Sequence, residues 1–227
     1  CAELETILNE AAISAAYKRK PSIEMEDLVK SVLRMQYDSP DNYTKTSAEE
    51  LKKTALHEAG HLVVSEVLCP GSVGLASLRS TGRDSTGGFI HCCKELTRRS
   101  HHVLVFLAGK AAVELYYSDT CASGCQKDIN RAVNIIRKDL SENATLGFGM
   151  IDVTTNIFPD TSERMNSRTE AVTQAELERH MLITKDILLK NREFLEKVTA
   201  ALIEKETLVH SDISLLRDNT TITEVAV

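Results

Sequence analysis

The chain has 227 residues, 42% of them hydrophobic and 26% charged, which suits one medium-sized domain or a domain with a small appendage. Aromatic residues make up only 4% and tryptophan is absent, so an aliphatic core and a mainly α fold are expected. A net charge of −6 and a pI near 5.7 speak against a nucleic-acid surface, six scattered cysteines against a disulfide scaffold, and the lack of any long apolar run against a membrane span. A soluble chain in a reducing compartment is the expectation.

Residues 1–36 read as two short helices. Leu4, Ile7, Leu8, Ala11, Ala12, Ala15 and Ala16 give the first an apolar face, and Pro21-Ser22 separates it from a second over Ile23 to Met35. The turn-rich Asp38-Ser39-Pro40-Asp41-Asn42 marks a linker over 37–46 and a domain boundary. A helix from Ala48 to Leu68 is predicted next. Ser47 and Glu50 have capping-box spacing, apolar residues recur at helical intervals, and Cys69-Pro70-Gly71 ends the pattern. Short strands follow between Ser72 and Cys93, turned at Thr81-Gly82-Arg83-Asp84 and resuming at Gly87-Gly88-Phe89-Ile90-His91. A second long helix is expected from Thr97 to Tyr116. Ser123 and Gln126 repeat the capping-box spacing and open a helix that carries Asp128 in its second turn. Residues 144–170 lack periodicity and read as a long loop. Charged amphipathic helices are expected over 173–190 and 192–206, a short one over Ser211 to Leu216, and a frayed tail over 218–227. The main domain is thus bounded at 47–217.

The first long helix contains His57-Glu58-Ala59-Gly60-His61, the H-E-x-x-H pattern. Residues four apart on a helix lie one above the other, so the two imidazoles can converge on one metal ion. Glu58, about 100° further round, can act on water beside the metal without ligating it. Gly60 costs roughly 1 kcal/mol against alanine in a helix, and its presence implies close approach by another backbone.

Catalytic zinc needs a third protein ligand. Val64 and Val67 stand where the three-histidine extension of the motif would place glycine and histidine, so the ligand comes from elsewhere. Candidates are Asp128, Glu114, His91, His101, His102, His180, Cys121 and Cys125. Asp128 has the best local setting, after a Ser-Gly turn at the positive end of a helix. Glu114 is next, a charge on a helix rich in small and aliphatic residues. The adjacent His101 and His102 suit a solvated helix start. Cys121 and Cys125 have a metal-like spacing but no second pair to complete a structural site.

The order of Leu4-Glu5-Thr6-Ile7-Leu8-Asn9-Glu10-Ala11-Ala12, His57-Glu58-Ala59-Gly60-His61, Gly87-Gly88, Ala108-Gly109-Lys110-Ala111-Ala112-Val113-Glu114 and Ser123-Gly124-Cys125-Gln126-Lys127-Asp128-Ile129 resembles the C-terminal part of FtsH-type AAA+ zinc metalloproteases. The resemblance spans nearly the whole chain. It implies that residues 1–36 are the end of an ATPase lid subdomain and that 47–217 form a helical peptidase domain with a small sheet beside the active helix. By the same resemblance Asp128 is the third Zn2+ ligand with His57 and His61, Glu58 is the catalytic base, and Gly88, Phe89 and Ile90 form the strand that aligns substrate. The implied substrates are unfolded or membrane proteins, handled by a homo-hexamer on the cytoplasmic side of a membrane. ATP and Mg2+ would belong to the rest of a longer polypeptide, as would membrane contact, since this chain has no G-x-x-x-x-G-K-[ST].

The chain departs from the family pattern at Leu56, Ala108, Lys110, Val113, Cys125 and Lys127. These departures motivate an alternative, a degenerate peptidase domain kept as an oligomerisation or substrate-docking module.

Overall fold

The computed structural model describes residues 2–39, 47–80, 87–117, 122–142 and 163–225. Its elements in chain order are α1 (Ala2–Tyr17), α2 (Met25–Tyr37), α3 (Ala48–Leu68), β1 (Val73–Ser77), β2 (Phe89–Cys92), α4 (Arg99–Tyr116), α5 (Ala122–Glu142), α6 (Glu163–Lys190), α7 (Arg192–Lys205), β3 (Thr207–Val209) and α8 (His210–Asp218). The mainly α reading with a small sheet is correct.

The two N-terminal helices pack on each other as a hairpin and share no extensive packing with another described helix or strand. Ile7, Ala11 and Ala15 of α1 and Leu33 of α2 are buried. Between the helices, the buried Asp27 takes the Lys20 ammonium at 2.9 Å and the Glu24 amide at 3.3 Å, which fixes the turn around Pro21.

In α3 the predicted capping box is present. The Ser47 hydroxyl accepts from the Glu50 amide at 3.2 Å, and the Glu50 carboxylate accepts from the Ser47 amide at 3.2 Å. The helix is buried almost continuously from Ala55 to Val67, with α4 and α7 as its main neighbours. At its end Glu66, itself buried, accepts the amides of Gly71 at 2.8 Å and Val73 at 2.9 Å. A carboxylate that satisfies two otherwise buried donors in this way turns the chain tightly from α3 into β1.

The sheet is antiparallel in the order β2-β1-β3, with Ser77 opposite both Phe89 and Thr207. Among the described residues β2 pairs only with β1. The core joining these elements is aliphatic, with Phe194 as its largest fully buried side chain. A smaller cluster of Val103, Leu107, Ala132, Ile136 and Leu140 fixes α5 against α4.

Some expected boundaries move. Helix α6 begins at Glu163, so residues 163–170 of the expected loop are helical; this polar stretch has no apolar period but contains good helix formers that extend the amphipathic part behind it. The remainder of the expected loop, 144–162, lies outside the described residues, as do Cys121 and most of the linker. Helix α5 begins at Ala122, which puts Ser123 inside the first turn and not at the cap. Strand β3 was not anticipated, because three residues are too few to show alternation. Of the tail expected to fray, residues 222–225 are tied down: the Asn191 amide side chain accepts from the Thr223 amide at 2.8 Å and donates to its carbonyl at 3.1 Å, while Ile222 and Val225 pack on the core.

Gly60 has the close neighbour its sequence context implied. A Cβ there would lie 2.5 Å from the Ala108 carbonyl oxygen and 2.7 Å from the Ala112 Cβ. Gly60→Ala is therefore expected to lower the unfolding free energy by about 1–3 kcal/mol through overpacking, despite alanine's advantage of about 1 kcal/mol in an open helix. Urea denaturation checks this, and an unchanged midpoint would mean that α3 and α4 do not meet there.

Candidate metal centre

His57 and His61 lie one turn apart on α3, and α4 crosses directly behind them. A Cβ on Gly109 would sit 2.4 Å from His57 Cε1 and 2.6 Å from His61 Nε2, so only glycine lets α4 pass this close. That approach brings the Val105 carbonyl to 2.7 Å from His61 Nδ1. A carbonyl only accepts, so Nδ1 carries the proton and Nε2 keeps its lone pair for a metal. On His57 the Nδ1 side faces the Gly109 backbone and, at 3.8 Å, the Cys125 thiol, which leaves Nε2 pointing to the same centre.

Asp128 arrives from α5, whose main packing partners are α4 and α6. Its Oδ2 lies 3.5 Å from His57 Nε2 and 3.4 Å from His61 Nε2, and the two Nε2 atoms are 3.0 Å apart. Tetrahedral zinc with bonds of about 2.0–2.1 Å separates its ligand atoms by roughly 3.3–3.4 Å. The three donors match that set in type and in spacing. Asp128 Oδ1 faces outward, 3.8 Å from the Arg131 guanidinium, which also lies over the Phe106 ring.

The electrostatics divide the two carboxyl groups. Burial alone would raise both. For Asp128 the hydrogen bonds and charges of His57 and His61 outweigh burial and hold the carboxyl well below its ordinary range. For Glu58, only 6% exposed, burial dominates and pushes the carboxyl up to about 7, with the Asp128 charge adding and His61 opposing. Burial lowers His57, while Asp128 and Glu58 overcome burial to raise His61. A cation placed among these groups would draw Glu58 back toward the ionised form.

Gly88 covers Glu58. With φ at +145°, it occupies backbone space that favours glycine, and a Cβ there would fall 2.7 Å from Glu58 Cγ and Oε1. Phe89 and Ile90 continue from it as strand β2. The expected strand residues and the expected base are therefore neighbours.

The other ligand candidates are engaged elsewhere. Glu114 binds Lys110 Nζ at 2.7 Å with one oxygen and Lys185 Nζ at 2.7 Å with the other, tying α4 to α6. His102 Nε2 bonds to the Leu96 carbonyl at 2.9 Å, His180 Nδ1 to the Glu176 carbonyl at 2.7 Å, and His91 lies edge-on to the Tyr37 ring. His101 sits in the first turn of α4. Cys125 is buried behind His57 and is not one of the converging donors. Among the described residues, His57, His61 and Asp128 are the one group of three or more such side chains placed to hold a metal. Sequence reading missed the contact between Arg131 and Asp128, although their i,i+3 spacing on a helix was a usable signal.

Comparison with known proteins agrees with this geometry. The model of peptidase family M41 matches residues 44–216. The chain belongs to peptidase family M41. It is 29% identical to ATP-dependent zinc metalloprotease FtsH 1 of Thermomicrobium roseum, over 96% of this chain and 36% of that protein. It is 31% identical to ATP-dependent zinc metalloprotease FtsH of Streptobacillus moniliformis, over 99% of this chain and 34% of that protein. The FtsH protein of Thermus thermophilus is 29% identical over 91% of this chain and 35% of its own length. The M41 chain thus spans about a third of the length of these curated relatives.

In this M41 chain the glycine behind the imidazoles should be as important as the ligands. Gly109→Ala is expected to leave the helical content intact and to weaken zinc binding about 10–100-fold, the usual effect of disturbing the support of a ligand. Competition with a chelating zinc indicator measures it; affinity equal to that of the parent would contradict the packing described.

Proposed function

We propose that this chain is the zinc endopeptidase domain of an ATP-dependent protease, with His57, His61 and Asp128 as the zinc ligands and Glu58 as the general base. The observation that carries the reading is the convergence of three donor atoms at zinc spacing beside a buried glutamate and a strand that, among the described residues, is paired on one side. Bound zinc would supply Lewis-acid polarisation of the scissile carbonyl and would acidify the attacking water.

The chain's own residues do the rest. Glu58 accepts a proton from the attacking water and returns it to the leaving amine, a role for which the ionised form favoured by a neighbouring cation is the competent one. The open edge of β2, at Gly88, Phe89 and Ile90, pairs with the backbone of an extended polypeptide. Main-chain hydrogen bonds bind many sequences because every residue offers the same donors and acceptors. Such pairing needs an unfolded substrate, which fits unfolded and membrane proteins as the substrate class. The names of the relatives support ATP dependence. This chain holds no nucleotide-binding G-x-x-x-x-G-K-[ST], so ATP and Mg2+ are assigned to a further part of the protein, together with any membrane anchor. A homo-hexamer at the cytoplasmic face of a membrane completes the proposal.

The departures at Lys110 and Val113 do not argue for an inert module. Lys110 is taken up in the ion-pair group with Glu114 and Lys185, and Val113 is buried in α4, away from the converging donors.

Glu58→Gln is expected to retain stoichiometric zinc while cleavage of an unfolded casein substrate falls by about 10²–10⁴-fold. A variant that cleaves as fast as the parent would falsify the role of Glu58. Asp128→Asn should weaken zinc binding by at least about tenfold, whereas Glu114→Gln should leave it unchanged. The reverse pattern in an equilibrium zinc titration would transfer the third ligand to Glu114.

A further inference from the structure

The N-terminal hairpin and the peptidase domain meet at a specific aromatic contact. The ring of Tyr37, the last residue of α2, stacks on Phe89 of β2 with centroids 4.5 Å apart and planes 28° from parallel. It also meets His91, two residues further along the strand, edge-on at 6.0 Å. Burial raises the Tyr37 hydroxyl above its ordinary range, so the ring is in a partly desolvated setting.

From the sequence, neither end of this contact is core. Tyr37 closes a helix that otherwise packs on α1, and Phe89 lies on a four-residue strand that, among the described residues, has hydrogen-bonded neighbours on one side only. An edge strand of this length is weakly held, and a stacked aromatic pair is one of the stronger ways to fix it. Phe89 directly follows Gly88, and Gly88 lies on the Glu58 carboxylate. The position of Tyr37 is therefore passed along two adjacent residues to the peptide-pairing edge and the base.

We propose that Tyr37 is a positioning residue: by stacking on Phe89, the hairpin end holds β2 in the place from which it pairs with an unfolded polypeptide. This rests on β2 being the substrate edge. The hairpin then sets how well the edge strand receives substrate, without touching substrate or metal.

The test uses zinc-loaded Glu58→Gln protein, which holds substrate without cutting it, and a fluorescently labelled unstructured casein fragment read by anisotropy. Adding Tyr37→Ala is expected to raise the dissociation constant about fivefold to tenfold, the loss of one aromatic pair. Tyr37→Phe, which keeps the stack, should stay within about twofold of the parent. Zinc affinity should be the same in all three, and amide hydrogen exchange at Ile90 should be faster in the alanine variant alone. Unchanged casein binding in Tyr37→Ala overturns the positioning role and leaves the peptidase reading intact. Failure of Tyr37→Phe to restore binding overturns it too, as does no measurable casein binding by the Glu58→Gln parent. Absence of zinc from that parent instead refutes the metal-centre reading itself.

Discussion

Everything at the centre depends on how closely α3 and α4 approach. Helix pairs normally stand 8–10 Å apart, with the side chains between them setting the distance. Here the contact is made by Gly60 against Ala108 and Ala112, and by Gly109 against the two imidazoles. Both glycines give up helix propensity. In return, the Val105 carbonyl reaches His61 and selects the tautomer that leaves Nε2 free. Asp128, on α5, meets the histidines beside the same crossing. Metal binding here is thus a property of a helix crossing as much as of three side chains.

The crossing also explains how two nearby carboxyl groups come to differ. Both are removed from water, which by itself favours the neutral form. Asp128 faces two imidazole nitrogens and an arginine, and it stays ionised. Glu58 is roofed by Gly88, and burial raises its carboxyl until a cation beside it favours the ionised form. Divergent environments for paired acids are how one site obtains both a fixed anion and a proton acceptor.

Much of this was legible in the sequence, for identifiable reasons. The span of α3, its Ser47/Glu50 cap and the meaning of Gly60 are local: propensity, capping and periodicity act within a few residues. The choice between Asp128 and Glu114 is tertiary, since it depends on which acid finds lysines and which finds histidines. No spacing rule reveals that Lys185, on a distant helix, neutralises Glu114. The start of α6 and the short β3 were missed because polar helix formers and three-residue strands carry little pattern. Tyr37 was read as part of a linker, and only the fold places its ring on Phe89.

The three donors come from two helices, α3 and α5, and α5 is held mainly by α4 and α6. An ion shared by His57, His61 and Asp128 would add a further bond between α3 and the first turns of α5, beside the contact of Cys125 with His57. Its binding free energy adds to the free energy of folding, because the unfolded chain offers no such converged site. A filled centre would fasten α5 to α3, so metal content and the mechanical integrity of that join would rise and fall together.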